Sequence, residues 1–209
     1  MTKKQRALAL IERLEQAYPE AICSLDYDEP WKLLVAVRLS AQCTDARVNI
    51  VTGDLFKKYP TMQAIADSDI GELTDMVRPC GLGPSKARDI RACMNLLLQQ
   101  YDGRIPDTMD ELLALPGVGR KSANLILGDI YDKPAVVADT HCIRIAGRMG
   151  LTDGTGDPGQ VEKQLRTVLP PEKSNDFCHR MVLHGRAVCT ARKANCETCN
   201  CADVCARKL

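Results

Sequence analysis

Residues 112–127 read LLALPGVGRKSANLIL, and this stretch places a Pro-Gly-Val-Gly turn between two apolar helical segments. A connection this short joins two helices through a tight turn. Gly117 and Gly119 are of the residue type that adopts backbone angles closed to others and lets a backbone approach another molecule closely. The second helix begins directly after the turn, and the unpaired N–H groups of a helix N-terminus suit a phosphate oxygen. The stretch therefore predicts a helical hairpin that could hold a phosphate, with a plain connecting turn as the alternative.

Apolar residues recur at helical spacing in most of the remaining chain. Ala7, Ile11 and Leu14 lie on one stripe of a helix predicted over residues 3–18. The run from Trp31 to Ala41 suits a buried helix or a strand, and its length and the lack of a β-hairpin partner favour a helix. Because no alternating run is found, the predicted fold class is all-α. The residues predicted to begin other helices are Thr44 or Asp45, Ser68, Ser85, Thr108 with a capping box to Glu111, Asp157 before Pro158, and Ser174.

The composition is that of a folded chain without a membrane segment. A chain of 209 residues, 45% of them hydrophobic, can bury a core without disulfides. The charged fraction of 26% and the absence of a long apolar run exclude a transmembrane protein. The first 20 residues lack the apolar core of an export signal, so we expect a cytoplasmic protein.

The net charge of +1 hides an asymmetry along the chain. Residues 1–116 carry 14 basic and 17 acidic side chains, whereas residues 117–209 carry 14 basic and 10 acidic ones. The later part is therefore able to present a basic face to a polyanion, with an ordinary solvated surface as the alternative.

Five of the eleven cysteines crowd the C-terminal end of the chain. The odd total and the expected cytoplasmic location argue against a disulfide framework. Cys189, Cys196, Cys199 and Cys205 have the spacing C-x6-C-x2-C-x5-C, and a loop-like tail with four thiolates predicts a metal site. Four thiolates serve zinc as readily as a [4Fe–4S] cluster. Cys201 offers an alternative fourth ligand.

Lys121 and Asp139 are the side chains best placed for covalent chemistry. Lys121 falls in the first turn of the helix after the hairpin turn, where the helix dipole favours the neutral, nucleophilic form of an amine. Asp139 precedes another apolar helical stretch in the run VVADTHCIRIAGRMG, where a helix N-cap is the alternative role.

Four separated motifs together resemble the endonuclease III branch of the base-excision-repair DNA glycosylases. They are LSAQCTD at 39–45, LPGVGRKSAN at 115–124, ADTH at 138–141 and the cysteine loop after an HGR run. The resemblance extends from about Leu8 to Cys205. It implies an all-α fold of two helical domains with a DNA cleft between them. These are a helical barrel domain of residues 22–132 with the helix-hairpin-helix, and an iron–sulfur cluster domain of residues 1–21 and 133–209.

The resemblance also implies a catalytic pair and a cofactor. Lys121 would attack C1′ of the sugar, expel the damaged base and form a Schiff base, after which β-elimination cuts the strand on the 3′ side. Asp139 would stabilise the oxocarbenium-like charge and assist proton removal from the amine. Ala138 stands where the family usually has valine. The implied cofactor is a [4Fe–4S] cluster with the ligands Cys189, Cys196, Cys199 and Cys205, and Cys201 would be a non-ligand.

By the same resemblance, further residues would contact duplex DNA. Gln42 would bond the orphaned partner base and Leu82 would fill the gap left by a flipped base, with a helix-terminal amide and a core residue as the alternatives. Asp45 would line the lesion pocket or cap a helix. The remaining contacts would be Gly117, Val118, Gly119 and Arg120 in the hairpin, and Arg192 and Lys193 in the cysteine loop, these last two being solvated charges in the alternative.

The sequence departs from the family pattern at two places near these motifs. Residues 81–87 read GLGPSKA, where the family commonly reads GLYNSKA, so Gly83 and Pro84 replace an aromatic and an amide residue. Arg38 stands in VAVRLSAQ at a position where the family is usually apolar, and the sequence offers no account of it.

These features predict a bifunctional DNA N-glycosylase and AP lyase. It would remove oxidised pyrimidines such as thymine glycol from duplex DNA and cleave abasic sites, as a monomer with no membrane partner. A glycosylase that only removes the base can use water as the nucleophile, so Lys121 favours the bifunctional enzyme. The alternatives are a glycosylase of the same fold for mismatched thymine or an oxidised purine, and a non-catalytic DNA-binding module with a redox-active cluster, which needs neither Lys121 nor Asp139.

Overall fold

The computed structural model describes residues 1–208, and the regular structure in this range is helical apart from one isolated β-bridge between Cys189 and Ala194. The all-α prediction is therefore confirmed. The helices are α1 Lys3–Ala17, α2 Pro30–Ser40, α3 Asp45–Lys58, α4 Met62–Ala66, α5 Ile70–Val77, α6 Gly83–Gln100, α7 Met109–Ala114, α8 Arg120–Tyr131, α9 Thr140–Arg148, α10 Pro158–Val168 and α11 Ser174–Ala187, with 3₁₀ turns at Arg78–Cys80 and Pro171–Lys173. None of these helices has the length and apolar character to cross a membrane, as judged over the described residues.

The chain forms two compact units, one of Ser24–Tyr131 and one of Met1–Cys23 with the chain from Asp132 onward. In the Ser24–Tyr131 unit, α2 contacts α3, α6 and α8. Most side chains of α2 are buried, which explains why the run from Trp31 has no polar face. Helices α4 and α5 pack on α6, and α7 packs on α8. The hairpin between α7 and α8 therefore rests on a helix that is anchored to the core.

In the other unit, α1 packs against α10 and α11, and α9 also packs against both. Ala7, Ile11 and Leu14 are buried, which confirms the stripe predicted for α1. The segment 135–138 has no regular secondary structure, is buried directly before α9 and leads the chain to Asp139. That the two units correspond to a barrel domain and a cluster domain with the predicted boundaries stays a prediction.

Side-chain caps begin several helices where the sequence predicted them. Thr44 accepts the N–H of Arg47 at 3.4 Å, and Asp157 accepts the N–H of Gln160 at 2.7 Å. The Thr108 hydroxyl accepts the N–H of Glu111, but the Glu111 carboxylate bonds the hydroxyl rather than the backbone of Thr108. The predicted capping box is therefore incomplete.

Two predicted helix starts are wrong. Asp69, not Ser68, caps α5, because the Ser68 hydroxyl donates back to the carbonyl of Ile65 at 2.7 Å. Helix α6 begins at Gly83 rather than Ser85, because Leu82 in the left-handed conformation ends the preceding turn and starts the helix at once.

Candidate functional site

The turn between α7 and α8 is a tight hairpin, as predicted. The N–H of Val118 donates to the carbonyl of Leu115 at 3.2 Å, and Gly117 has φ +75°, which favours glycine. Gly119 does not have a positive φ, so the backbone angle at this position does not require glycine. A Cβ added to Gly119 would meet nothing within 4 Å. Gly117 and Gly119 are both exposed, so their backbone is accessible to another molecule.

The structure accounts for Arg38, which the sequence left unexplained. The Arg38 guanidinium donates to Asp89 Oδ2 from Nε at 2.9 Å and from Nη2 at 2.6 Å, and from Nη2 to Ser85 Oγ at 3.3 Å. A Cβ on Gly117 would lie 2.7 Å from Arg38 Cδ and 2.8 Å from Asp89 Cβ. The ion pair therefore packs directly against the hairpin turn, and its acidic partner comes from α6.

The two hairpin glycines are expected to respond differently to alanine. Gly117→Ala combines a left-handed backbone with contacts below 3.0 Å, and we expect the free energy of unfolding to fall by about 2 kcal/mol or more. Gly119→Ala faces open space and precedes the first residue of α8, so we expect a loss below about 1 kcal/mol. Urea unfolding of both variants measures the difference, and equal losses would contradict this account of the turn.

Lys121 and Asp139 both stand at helix N-termini. Lys121 is the second residue of α8 and is exposed. Asp139 is the half-buried N-cap of α9, and its Oδ1 accepts the N–H of Cys142 at 2.7 Å. Within residues 1–208, its second carboxylate oxygen has no hydrogen bond. The carboxylate therefore has the structural role of a cap and one oxygen left for another partner.

Gln42 and Leu82 are each exposed at the tip of a loop in the Ser24–Tyr131 unit. Both take the left-handed conformation, with φ +57° at Gln42 and φ +53° at Leu82. Leu82 is 55% exposed, so its alternative role as a core residue is wrong. Asp45 is half-buried as the first residue of α3, whose cap is Thr44, so the alternative role of Asp45 as the cap is also wrong.

The cysteine loop presents both of its predicted basic residues to solvent. Arg192 and Lys193 are exposed. The Thr190 hydroxyl closes the loop, since it donates to the carbonyl of Lys193 at 2.7 Å and accepts the N–H of Lys193 at 3.0 Å. These two bonds hold the backbone of Lys193 within the loop.

The four predicted ligands line one cavity. Cys189, Cys196, Cys199 and Cys205 all contribute to its wall. The pKa of the Cys205 thiol is raised by burial and, to a smaller degree, by the nearby Cys199, Cys189 and Cys196. Cys201 is fully buried and is not part of the wall, and its thiol lies 3.6 Å from Asn200 Oδ1. The structure thus brings the four cysteines together and leaves Cys201 outside their cavity.

A group of one histidine and two cysteines, whose potential ligand atoms lie closer together than the four cavity sulfurs, adjoins this cavity. Over residues 1–208, the potential ligand atoms of His184, Cys199 and Cys201 are the group of three that lie within 4.8 Å of one another. His184 Nε2 is 3.6 Å from Cys199 Sγ, and the N–H of Cys201 donates to the same sulfur at 3.4 Å. Cys199 therefore has two polar neighbours of its own. The four cavity sulfurs do not form such a compact set.

Sequence reasoning missed two residues that support the cysteine loop. His184 is fully buried, and burial lowers the pKa of its imidazole. Its Nδ1 lies 3.3 Å from the hydroxyl of Tyr18. Arg148, at the end of α9, donates to Cys189 Sγ at 3.4 Å and to the carbonyl of Thr190 at 2.7 Å. The HGR run that precedes Cys189 contains His184 and was the available signal for it, whereas no local pattern marks Arg148.

Comparison with known proteins agrees with this fold. The family described as "HhH-GPD superfamily base excision DNA repair protein" matches residues 35–171, and this match places the chain among the helix-hairpin-helix repair proteins. Endonuclease III of Synechocystis sp. is 43% identical over 205 residues, which cover 98% of this chain and 93% of the relative. The chain belongs to the endonuclease III family.

Two solved structures of endonuclease III are similar over nearly the whole chain. One is a non-covalent complex with DNA, with a TM-score of 0.93, 38% identity, and coverage of 99% of this chain and 97% of that chain. The other is a trapped covalent intermediate with DNA, described as an estranged-adenine complex, with a TM-score of 0.92 and the same identity and coverage. The resemblance inferred from the four motifs is therefore confirmed.

Proposed function

We propose that this chain is a bifunctional DNA N-glycosylase and AP lyase of base excision repair. The observation that carries the proposal is the exposed Lys121 in the first turn of α8, directly after a hairpin turn with an accessible backbone. The solved relatives support it, because one is a complex with DNA and another a trapped covalent intermediate with DNA. The partner is duplex DNA with damaged bases or abasic sites, and the enzyme acts as a monomer on the DNA in the cytoplasm.

Lys121 is the nucleophile in this proposal. Its neutral amine uses its lone pair to form a bond to C1′, while the glycosidic bond breaks and the base leaves with the bonding electrons and takes up a proton. The nitrogen, positively charged in the adduct, loses one proton. Its lone pair then forms the C=N bond as the C1′–O4′ bond breaks and O4′ takes up a proton, which gives a protonated Schiff base that keeps one N–H. Removal of a proton from C2′ then breaks the C3′–O bond, and the phosphate leaves. Water finally hydrolyses the Schiff base and restores the amine.

Asp139 assists the first step in two ways. Its carboxylate stabilises the positive charge that develops on the sugar as the glycosidic bond lengthens. The oxygen that the α9 cap leaves without a hydrogen bond accepts a proton from the attacking amine. The cap bond through Oδ1 holds the carboxylate in one orientation, so that the two roles of this side chain are compatible.

Asparagine at position 139 separates these roles, because it caps a helix about as well as aspartate but carries no charge. We expect Asp139→Asn to lower the single-turnover rate of base removal by roughly 10²- to 10⁴-fold, with little change in the unfolding midpoint. Asp157→Asn is the matched control, since Asp157 caps α10 with the same geometry. Loss of activity in the control, or full activity in Asp139→Asn, would contradict the role of Asp139.

The cofactor is a [4Fe–4S] cluster held by Cys189, Cys196, Cys199 and Cys205. The cavity that these residues line supports this ligand set. A single tetrahedral zinc ion, with Zn–S bonds of about 2.3 Å, needs sulfurs roughly 3.8 Å apart. Over the described residues the four sulfurs do not form a group within 4.8 Å, so they are not the close set that a single zinc ion needs. When bound, the cluster supplies a cross-link that keeps the loop folded.

The remaining proposed contacts are with the DNA itself. Gly117, Val118, Gly119 and Arg120 bind backbone phosphate through the hairpin and the N-terminus of α8. Arg192 and Lys193 add two phosphate contacts from the cysteine loop. Gln42 and Leu82 enter the duplex when the damaged nucleotide is flipped out, and Asp45 lines the lesion pocket. The side chains or backbone of most of these residues are exposed, which supports these roles; Asp45 and Val118 are half-buried.

The substrates that we propose are oxidised pyrimidines such as thymine glycol. Strand cleavage of a duplex with a single abasic site, followed on a denaturing gel, tests the lyase alone. A parallel duplex with thymine glycol tests base removal. Cleavage of the abasic duplex without removal of thymine glycol would support the role of Lys121 in the lyase reaction and exclude the proposed substrate. Binding of both duplexes without cleavage of either would exclude the proposed glycosylase and lyase activities.

A further inference from the structure

Two loops of the Ser24–Tyr131 unit meet at one buried lysine. The first follows α2 and leads to Gln42, and the second follows the 3₁₀ turn Arg78–Cys80 and leads to Leu82. Each loop tip is a non-glycine residue with a positive φ, a conformation that the surrounding structure must hold in place. Nothing in the reaction described above uses the lysine that joins them, Lys86.

Lys86 is 0% exposed, and its ammonium group is bound by backbone carbonyls alone. Nζ donates to Leu39 O at 2.8 Å, to Ala41 O at 2.7 Å and to Cys80 O at 2.8 Å. An ammonium group has three donors, so each is used. Among residues 1–208, no carboxylate forms an ion pair with it.

The three carbonyls belong to two chain segments that end next to the loop tips. Those of Leu39 and Ala41 lie at the C-terminus of α2, where the last carbonyls of a helix have no partner within it and a positive charge is favourable. The carbonyl of Cys80 ends the 3₁₀ turn. The backbone N–H of Lys86 also donates to Leu82 O at 3.0 Å. Lys86 is thus bonded to the residue before Gln42 and to Leu82 itself.

We propose that Lys86 is a positioning residue for base removal, which fixes Gln42 and Leu82 relative to each other so that both enter the gap in the duplex. This inference rests on the proposed function and on the gap-filling roles of the two loop tips. Lys86 does not touch the DNA. It acts by keeping two separate loops at one fixed spacing.

The test compares a substrate that requires gap filling with one that does not. Lys86→Met keeps most of the volume of the side chain and removes all three donors. In duplex DNA with thymine glycol, we expect the single-turnover rate of base removal to fall by roughly 100-fold, the effect of a misplacement of about 1 Å. On a single-stranded oligonucleotide with an abasic site, there is no partner strand, and we expect strand cleavage to stay close to that of the unaltered protein.

Arg91→Met is the matched control. Arg91 lies on the same helix and also donates to a carbonyl, that of Ala66 at 3.2 Å, but this carbonyl is remote from both loop tips in the chain. We expect Arg91→Met to change the rate of base removal in the duplex and the rate of cleavage of the single strand by similar factors. A second control places Lys86→Met in the Gln42→Ala, Leu82→Ala background, where it should lower the duplex rate little further because the side chains that it positions are gone.

Lys86→Gln keeps the test informative if Lys86→Met does not fold. Because glutamine retains two donors, we expect a smaller loss of rate than in Lys86→Met, and the loss should again be greater on the duplex substrate than on the single strand. Equal losses on the two substrates, or a selective loss in Arg91→Met, would overturn the positioning role while leaving the proposed function intact. Inactivity of the unaltered protein on both substrates would instead remove the proposed function, and this inference with it.

Discussion

Lys121→Gln is expected to abolish the covalent adduct that borohydride traps between the protein and abasic duplex DNA. The side chain of glutamine is polar and of similar reach, but its amide nitrogen is not a nucleophile, so no Schiff base forms. Single-turnover strand cleavage should fall by roughly 10³-fold or more, the scale on which enzymes lose activity when the nucleophile is removed. Binding to the same duplex should remain measurable, because the hairpin backbone and the other basic residues are unchanged.

The matched control for this variant is Lys163→Gln, which removes one exposed lysine from α10. It should trap and cleave as the unaltered protein does. An adduct in Lys121→Gln of the same yield as in the unaltered protein would show that another amine is the nucleophile. If Lys121→Gln lost both duplex binding and borohydride trapping, the substitution would have damaged the hairpin rather than removed the nucleophile alone.

The second large effect is expected at the cysteine cavity. With the proposed cluster bound, we expect the purified protein to contain iron and to absorb broadly in the visible range, and we expect Cys199→Ser to reduce both, because one of the four proposed ligands is lost. The loop between Cys189 and Cys205 should then lose its fixed structure, since it contains almost no regular hydrogen-bonded structure of its own. We expect the affinity for duplex DNA to fall roughly tenfold or more, because Arg192 and Lys193, the proposed phosphate contacts, are then no longer held by a folded loop.

Cys201→Ser is the control for this prediction. Cys201 is a neighbour in the chain and is fully buried, but it lies outside the cavity wall. Iron analysis, the visible spectrum and duplex titration should all resemble those of the unaltered protein. Iron loss in Cys201→Ser and not in Cys199→Ser would assign the metal to the alternative ligand, and a colourless protein that contains zinc would contradict the cluster.

Local interactions explain which parts of the fold could be predicted from the sequence. Thr44, Asp139 and Asp157 each accept an N–H three residues later, so the signal and the helix it begins lie in the same short segment. The stripe on α1 has the same property. The all-α class and most helix positions follow from such patterns.

Contacts between distant residues explain what could not be predicted. Helix α6 begins two residues earlier than the serine signal indicates, because Leu82 takes a left-handed conformation that depends on its surroundings. Arg38 is paired with Asp89, which lies 51 residues later, and it packs on a turn that is further away still. Arg38 and its partners are too far apart in the sequence for a local pattern to reveal these contacts.

The candidate site shows the same division. The spacing of the four cysteines predicted a shared metal site, and all four line one cavity in the structure. Sequence spacing was informative here because all four lie within one short loop. Arg148 reaches Cys189 from α9, a separation of 41 residues, and was not predicted. The three carbonyls bound by Lys86 are likewise visible only in the folded chain.

The most direct test of the central claim is borohydride trapping on three duplexes, which carry thymine glycol, an abasic site or undamaged thymine. We expect strand cleavage and a covalent adduct with the first two duplexes and neither with the third. Binding to all three duplexes with no cleavage and no adduct would contradict the central claim.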